Sequence, residues 1–184
     1  KSKKNVIDPE IIINTYGADT ARLFMLSDSP PERDLDWTDS GIEGAWRYIN
    51  RLWRLITKES KSLICVNTPK PIHFNKTEFQ WRKLIHKTIF QVSNDFDKFH
   101  FNKAVARIRS LTNDIESLEP SNYNLKWIKR EGFETIIKLI NPITPHLAEE
   151  LWGELGQETI LVETDWPIID KSLLIDEKKQ QFKF

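Results

Sequence analysis

Four cations recur along one stretch at a spacing that would let them act together. In GAWRYINRLWRLITKES, Arg47, Arg51, Arg54 and Lys58 fall at i, i+4, i+7 and i+11. At about 100° per residue, that spacing confines them to a stripe about 60° wide on one side of a helix. A row of guanidinium groups suits a phosphate backbone, because each planar fork can hold two oxygens and stays charged. The plain alternative is a solvated helix face. Lys83 and Lys87, at i, i+4 further on, form a shorter pair of the same kind, for which solvation is the simpler reading.

Other chemistries find less support. His73, His86, His100 and His146 show no metal-ligand spacing, so no metal site is expected. His146 follows NPITP and reads as a histidine satisfied by backbone at a helix start. Asp95 and Asp97 stand at i, i+2, which points them apart on a helix, and both read as solvated. Cys65 is the single cysteine, which excludes an internal disulfide and a cysteine-cluster zinc site and suits a reducing cytoplasm. Six glycines in 184 residues argue against a glycine-rich nucleotide fold.

The elements that must carry the cations are helical nearly throughout. Asp8 is a candidate N-cap with Pro9 behind it, and Gly17 stands where that first helix would end. A short helix from Asp19 to about Ser27 follows, and the adjacent prolines 30 and 31 break it. The longest period runs through Ile42, Ala45, Trp46, Ile49, Leu52, Trp53 and Ile56, with Asp39 or Ser40 as the cap. The cationic stripe is then expected opposite Trp46, Ile49, Trp53 and Ile56, with both tryptophans in the core rather than stacked on bases. Residues 64–75 read as a linker. A second long helix, about 76–98, buries Trp81, Leu84, Ile85, Thr88, Val92, Phe96 and Phe99. A third, capped by Asn102, buries Val105, Ile108, Leu111, Ile115 and Leu118. A fourth, about 125–140, buries Phe133, Ile136, Ile137 and Ile140, and a short fifth runs from Pro145 toward Gly156. The tail reads as irregular, with room for one short strand. The fold class is mainly α, a helical bundle.

Charge is distributed, not accumulated. The formal net charge is zero, but DSPPERDLDWTDSGIE carries six acids against Arg33 and runs directly into the basic stretch. Trp37 reads as an anchor under the segment before the long helix, and Asp34 and Asp36 as partners for Arg22 or Arg33. No apolar run approaches the roughly 18 residues of a membrane span, and the lysine-rich start lacks the apolar stretch of a secretory signal.

Four ordered blocks carry a family resemblance. KSKKNVIDPEIIINTYGADTARLFML resembles the segment that ends the catalytic domain of class I aminoacyl-tRNA synthetases, whose signature loop reads KMSKS. Aligned on that loop, Lys1 and Ser2 match its fourth and fifth residues. SDSPPERDLDWTDSGIEGAWRYINRLWRL, LIHKTIFQVSNDFDKFHFNKAVARIRSLTNDI and LINPITPHLAEELWGELG are similar to the bacterial leucyl branch of that family and cover the chain to about residue 167.

The resemblance implies a piece of a longer ATP-dependent ligase, likened to enzymes that join leucine to tRNA(Leu) through leucyl-adenylate. It implies ATP with Mg2+ as cofactor of the parent enzyme, Lys1 and Ser2 on the ATP side, and a monomer in the cytoplasm with no membrane role. The piece would hold no catalytic residue of its own. Residues 1–38 would be the loop remnant and a connecting segment, 39–167 the anticodon-binding helical bundle, and 168–184 an irregular tail toward a further domain. Arg47, Arg51, Arg54 and Lys58 would face tRNA backbone, with Lys83 and Lys87 behind them. Two alternatives stay open: the same domain of a valyl-type synthetase, and a free-standing helical protein-interaction module.

Overall fold

The computed structural model describes residues 7–175. Lys1 and Ser2 therefore lie outside the described residues. Seven α-helices follow in order: α1 (Pro9–Tyr16), α2 (Ala18–Asp28), α3 (Asp39–Glu59), α4 (Lys76–Asp97), α5 (Phe101–Ser117), α6 (Tyr123–Ile140) and α7 (Pro145–Glu154). Short 3₁₀ turns occupy Ser60–Ser62, Leu161–Glu163 and Lys171–Leu174, and no strand occurs among the described residues. The mainly α bundle expected from the periods is the fold observed; the short strand considered for the tail does not occur in its described part, to residue 175.

Helix ends follow local chemistry. Asp8 accepts the Glu10 N–H at 2.9 Å, Pro9 opens α1, and Gly17 takes φ 86°, a conformation that favours glycine, between α1 and α2. The α3 cap is Thr38, whose hydroxyl accepts from Gly41 N–H at 3.2 Å, rather than Asp39 or Ser40. Asn75 and Glu78 form a reciprocal capping box at the start of α4. Asn102 caps nothing at its expected place, because α5 already begins at Phe101 after His100. Asn122 caps α6 through the Leu125 N–H at 2.8 Å.

Asn122 also shows how a cap can bind two helices. Its amide Nδ2 donates to Glu78 Oε1 at 3.0 Å, and Asn124 Nδ2 donates to Glu78 Oε2 at 2.9 Å. The start of α4 is thus tied to the start of α6.

The core lies where α4, α5 and α6 pack on one another and where α2, α3 and α7 close over them. Ile85, Ile89, Val92, Ile108, Leu111, Ile115, Phe133, Ile136, Ile137 and Ile140 are buried there, each worth about 1.5–3 kcal/mol relative to exposure. The α5 and α6 stripes match the residues read from their period. Helix α4 does not: Phe99 is exposed, while Arg82, His86 and Asp95 are buried. At Gly132 a Cβ would sit 2.5 Å from Ile115 Cδ1, so only glycine allows α5 and α6 to approach this closely. Trp37 packs edge-on against Phe24 of α2 with ring centroids 5.0 Å apart, as an anchor for the segment before α3. Up to residue 175 the tail is packed rather than irregular, with Leu173 buried and the Lys171–Leu174 turn against α4.

Candidate nucleic-acid interface

Helix α3 is fixed from its inner side. Ile42, Ala45, Tyr48, Leu52, Leu55 and Ile56 are buried. The Tyr48 hydroxyl pairs with Thr112 Oγ1 of α5 at 3.0 Å, and the Arg109 guanidinium lies over the Tyr48 ring at 4.7 Å. Burial pushes the Tyr48 phenol up from its ordinary range, so it stays a neutral hydrogen-bonding group. At the far end, buried Lys129 of α6 meets Glu59 at 3.0 Å. With both ends held, the outer face of α3 is a rigid platform.

That outer face carries Arg47, Arg51, Arg54 and Lys58, all exposed. The four are not equivalent. Arg51 reaches across to Glu116 of α5 and forms an ion pair, which neutralises it locally. Arg47 lies 3.4 Å from Glu43 one turn back, an exposed pair of little strength. Arg54 donates Nε to the Asn50 carbonyl at 3.2 Å, which orients the guanidinium and leaves its two terminal nitrogens outward. Arg54 and Lys58 are thus the cations of the stripe with no carboxylate partner among the described residues.

The tryptophans overturn the expected layout. Trp46 is 44% exposed and Trp53 36%, so neither belongs to the core. On a wheel of about 100° per residue, the centre of the cationic stripe lies about 110° from Trp46 and about 130° from Trp53, with Arg54 the nearest cation to both, at about 80° and about 100°. Tyr48 and Leu55, which the period through the tryptophans passes over, take the buried places instead. The arc that α2, α5 and α7 cover is centred on Ala45 and Leu52, which leaves both indoles outside its edge.

The second lysine pair splits. Lys83 is half-buried, and its Nζ donates to the Ile175 carbonyl at 3.4 Å, so it braces the tail. Lys87 is exposed and lines a groove of about 470 Å³ between α4 and α5, with Gln91, Lys103, Arg107 and Asp114. Arg107 there binds Asp95 at 2.6 Å and Gln91 at 3.0 Å. Asp95 is accordingly buried and paired, not solvated. The structure does not bring Lys83 and Lys87 onto the α3 face.

Two polar clusters escaped the sequence reading. Arg82 forks onto Glu131 with both bonds at 3.1 Å, and its guanidinium lies over the Phe74 and Trp127 rings. His86 Nδ1 accepts from the Asp170 N–H at 3.1 Å, which places the ring proton on Nε2, 3.3 Å from Glu131 Oε1. Burial pushes the Glu131 carboxyl up, but hydrogen bonds from His86 and Arg82 and the charge beside it win and hold it below the ordinary range. A buried guanidinium beside these groups makes the cluster hostile to a metal ion, and its evident work is to bind the tail to α4 and α6.

The second cluster is centred on Asp19. Its carboxylate accepts the Leu147 N–H at 2.8 Å, lies 3.0 Å from His146 Nδ1, and pairs with Arg22 at 2.9 Å. Asp19 of α2 therefore caps α7 from outside the helix. His146 is partnered by this carboxylate, not by backbone, and Arg22 pairs with Asp19, not with Asp34 or Asp36. The only sequence signal was Asp19 two residues after Gly17, at the start of a helix.

The fold is a helical bundle with a row of exposed cations on α3, and comparison with known proteins assigns its class. Residues 81–184 match the model for the anticodon-binding domain of tRNA ligase, and residues 1–38 match tRNA synthetases class I (I, L, M and V). The chain belongs to the anticodon-binding domain family of tRNA ligases. It is 54% identical over 177 residues to the leucine–tRNA ligase of Paramagnetospirillum magneticum, and 46% identical to that of Parvibaculum lavamentivorans. Each match covers 96% of this chain and 20% of the relative, so the chain spans about a fifth of the length of these curated relatives. Among solved structures it is similar to the ternary complex of the Agrobacterium radiobacter K84 agnB2 LeuRS with tRNA and LeuAMS. That similarity has a TM-score of 0.83 and 26% identity, covering 96% of this chain and 23% of the other.

Proposed function

We propose that this chain is the tRNA-binding helical domain of a leucyl-tRNA synthetase, and that the outer face of α3 lies against tRNA backbone. The whole protein joins leucine to tRNA(Leu) with ATP and Mg2+ through leucyl-adenylate, and works as a monomer in the cytoplasm. The helices here supply no catalytic group. Lys1 and Ser2 serve the ATP side as the end of the signature loop, residues 8–38 connect that loop to the bundle, and the bundle positions the tRNA.

The observation that carries this reading is the rigid, outward row of cations on α3, in a chain whose relatives are leucine–tRNA ligases. Arg54 and Lys58 carry most of the attraction, because Arg51 is already paired with Glu116. Lys87 adds a peripheral charge. Each phosphate contact releases counterions, so its loss flattens the salt dependence of binding by about one unit of slope. The double variant Arg54→Glu with Lys58→Glu in the full-length protein should weaken tRNA(Leu) binding and flatten that slope. Leucine-dependent ATP–pyrophosphate exchange should stay unchanged. Equal loss of both activities would sink the reading.

A further inference from the structure

Three of the seven tryptophans have an evident structural use for their indole N–H. Trp127 donates to the Thr68 carbonyl at 3.1 Å, Trp152 to Thr159 Oγ1 at 3.2 Å, and Trp166 to Ser93 Oγ at 2.8 Å. Trp46 and Trp53 differ. Neither side chain takes part in a hydrogen bond or ring contact among the described residues, and both are among the exposed large apolar groups. Each indole is covered over a little more than half of its surface, and the remainder, with its N–H, has no partner among the described residues.

The two rings are arranged, not scattered. Seven residues separate them, which is two turns and about 10 Å along the axis. Asn50 stands between them along the helix, half-buried, and its amide donates to the Trp46 carbonyl at 2.8 Å, which leaves Oδ1 as an acceptor with no partner among the described residues. Arg54 and Arg47 lie at the edge of this strip, and Lys58 continues the positive side toward the end of α3. A purely apolar partner surface would be poorly served by a face bordered with cations. A nucleotide matches all three components at once: a flat base for each indole, an acceptor for a base edge, and a phosphate for the guanidinium.

We propose that Trp46 and Trp53 are stacking platforms for unpaired nucleotides of the bound tRNA. Asn50 reads a base edge and Arg54 holds the adjoining phosphate. The inference deepens the function proposed above and rests on it. It adds a non-ionic part to an interface so far described by charge, and gives the domain a preference for unstacked nucleotides over uniform duplex.

Stacking and charge respond differently to salt, and the test uses that. In the full-length protein, Trp46→Ala and Trp53→Ala should each weaken binding of a tRNA(Leu) transcript by about 5- to 150-fold. The loss should be similar at every salt concentration, so the slope of affinity against salt stays that of the parent. Trp46→Phe and Trp53→Phe should restore most of the affinity, since a phenyl face also stacks. Tryptophan emission should be quenched when tRNA binds, and less so in the alanine variants. More than half of each ring is covered, so the alanine variants should lower the melting temperature, and binding is compared at a temperature where every variant is fully folded. Unchanged affinity in the alanine variants overturns the proposal, and so does affinity that falls only in step with melting temperature, as a hidden protein interface would produce. If the Arg54 and Lys58 variant weakens binding while the tryptophan variants do not, stacking alone fails; if neither set does, the underlying function fails with it.

Discussion

Asp19 offers the most direct test of how α2 is held against α7. The perturbation is Asp19→Ala, which removes the carboxylate that caps α7 across a separation of 128 residues. Losing an N-cap of this kind costs about 1–2 kcal/mol. The ion pair to Arg22 adds little, because Arg22 is about half exposed, and the same holds for the exposed His146. The sum is about 2 kcal/mol. For a chain of 184 residues, each kcal/mol moves the melting temperature by about 2–4 °C, so Asp19→Ala should lower it by about 4–8 °C. Asp19→Asn keeps one oxygen for the Leu147 N–H but loses the charge and the second acceptor facing Arg22 and His146, so its loss should fall between the parent and the alanine variant. Thermal unfolding of the chain, followed by circular dichroism, measures both. Two results would refute the reasoning: an alanine variant as stable as the parent, or an asparagine variant as damaged as the alanine one.

The buried cluster at α4 and α6 makes two further predictions. Arg82→Ala strands the Glu131 carboxylate and should cost about 3–5 kcal/mol in urea unfolding, whereas Arg82→Met combined with Glu131→Leu should recover most of that loss; equal losses would show that the pair is not the source. Glu131, Glu78 and Asp170 are all held below the ordinary carboxylate range, Glu131 against its burial, Glu78 by the Asn124 hydrogen bond first, and Asp170 by the Ser172 hydroxyl first. The unfolded chain then binds more protons as pH falls, so their stabilisation is complete above about pH 5 and is lost as pH drops through about 4 and below. Urea midpoints should fall over that window, and Glu78→Gln should make the fall shallower; a flat profile would contradict the assignment.

Much of the bundle was legible because apolar side chains alone decide the α5 and α6 stripes. Ile108, Ile115, Phe133 and Ile140 repeat at helical spacing and are buried where that spacing puts them. The period misled on α3 because Trp46 and Trp53 count as apolar without being covered. Which 140° or so of a helix is buried depends on the neighbours, here α2, α5 and α7, and a single helix's pattern does not contain them. Arg82, His86 and Asp95 were illegible for a related reason. Charged residues read as solvated until a partner is in view, and the Arg82 partner is 49 residues away. The cationic stripe itself was readable, but not the ion pair that removes Arg51 from it, because Glu116 belongs to another helix.

The link from Asp19 to Leu147 also sets an order of assembly. Helix α2 buries Leu23 and Phe24 completely or nearly so, and α7 supplies part of that cover. Synthesis proceeds at about 5–20 residues per second, so the 128 residues between the two partners take about 6–26 s to appear. For that interval α2 has its anchor residue but not its anchorage. Helix α2 is therefore made well before the helix it is fastened to, and the cap on α7 can form only once Leu147 has appeared.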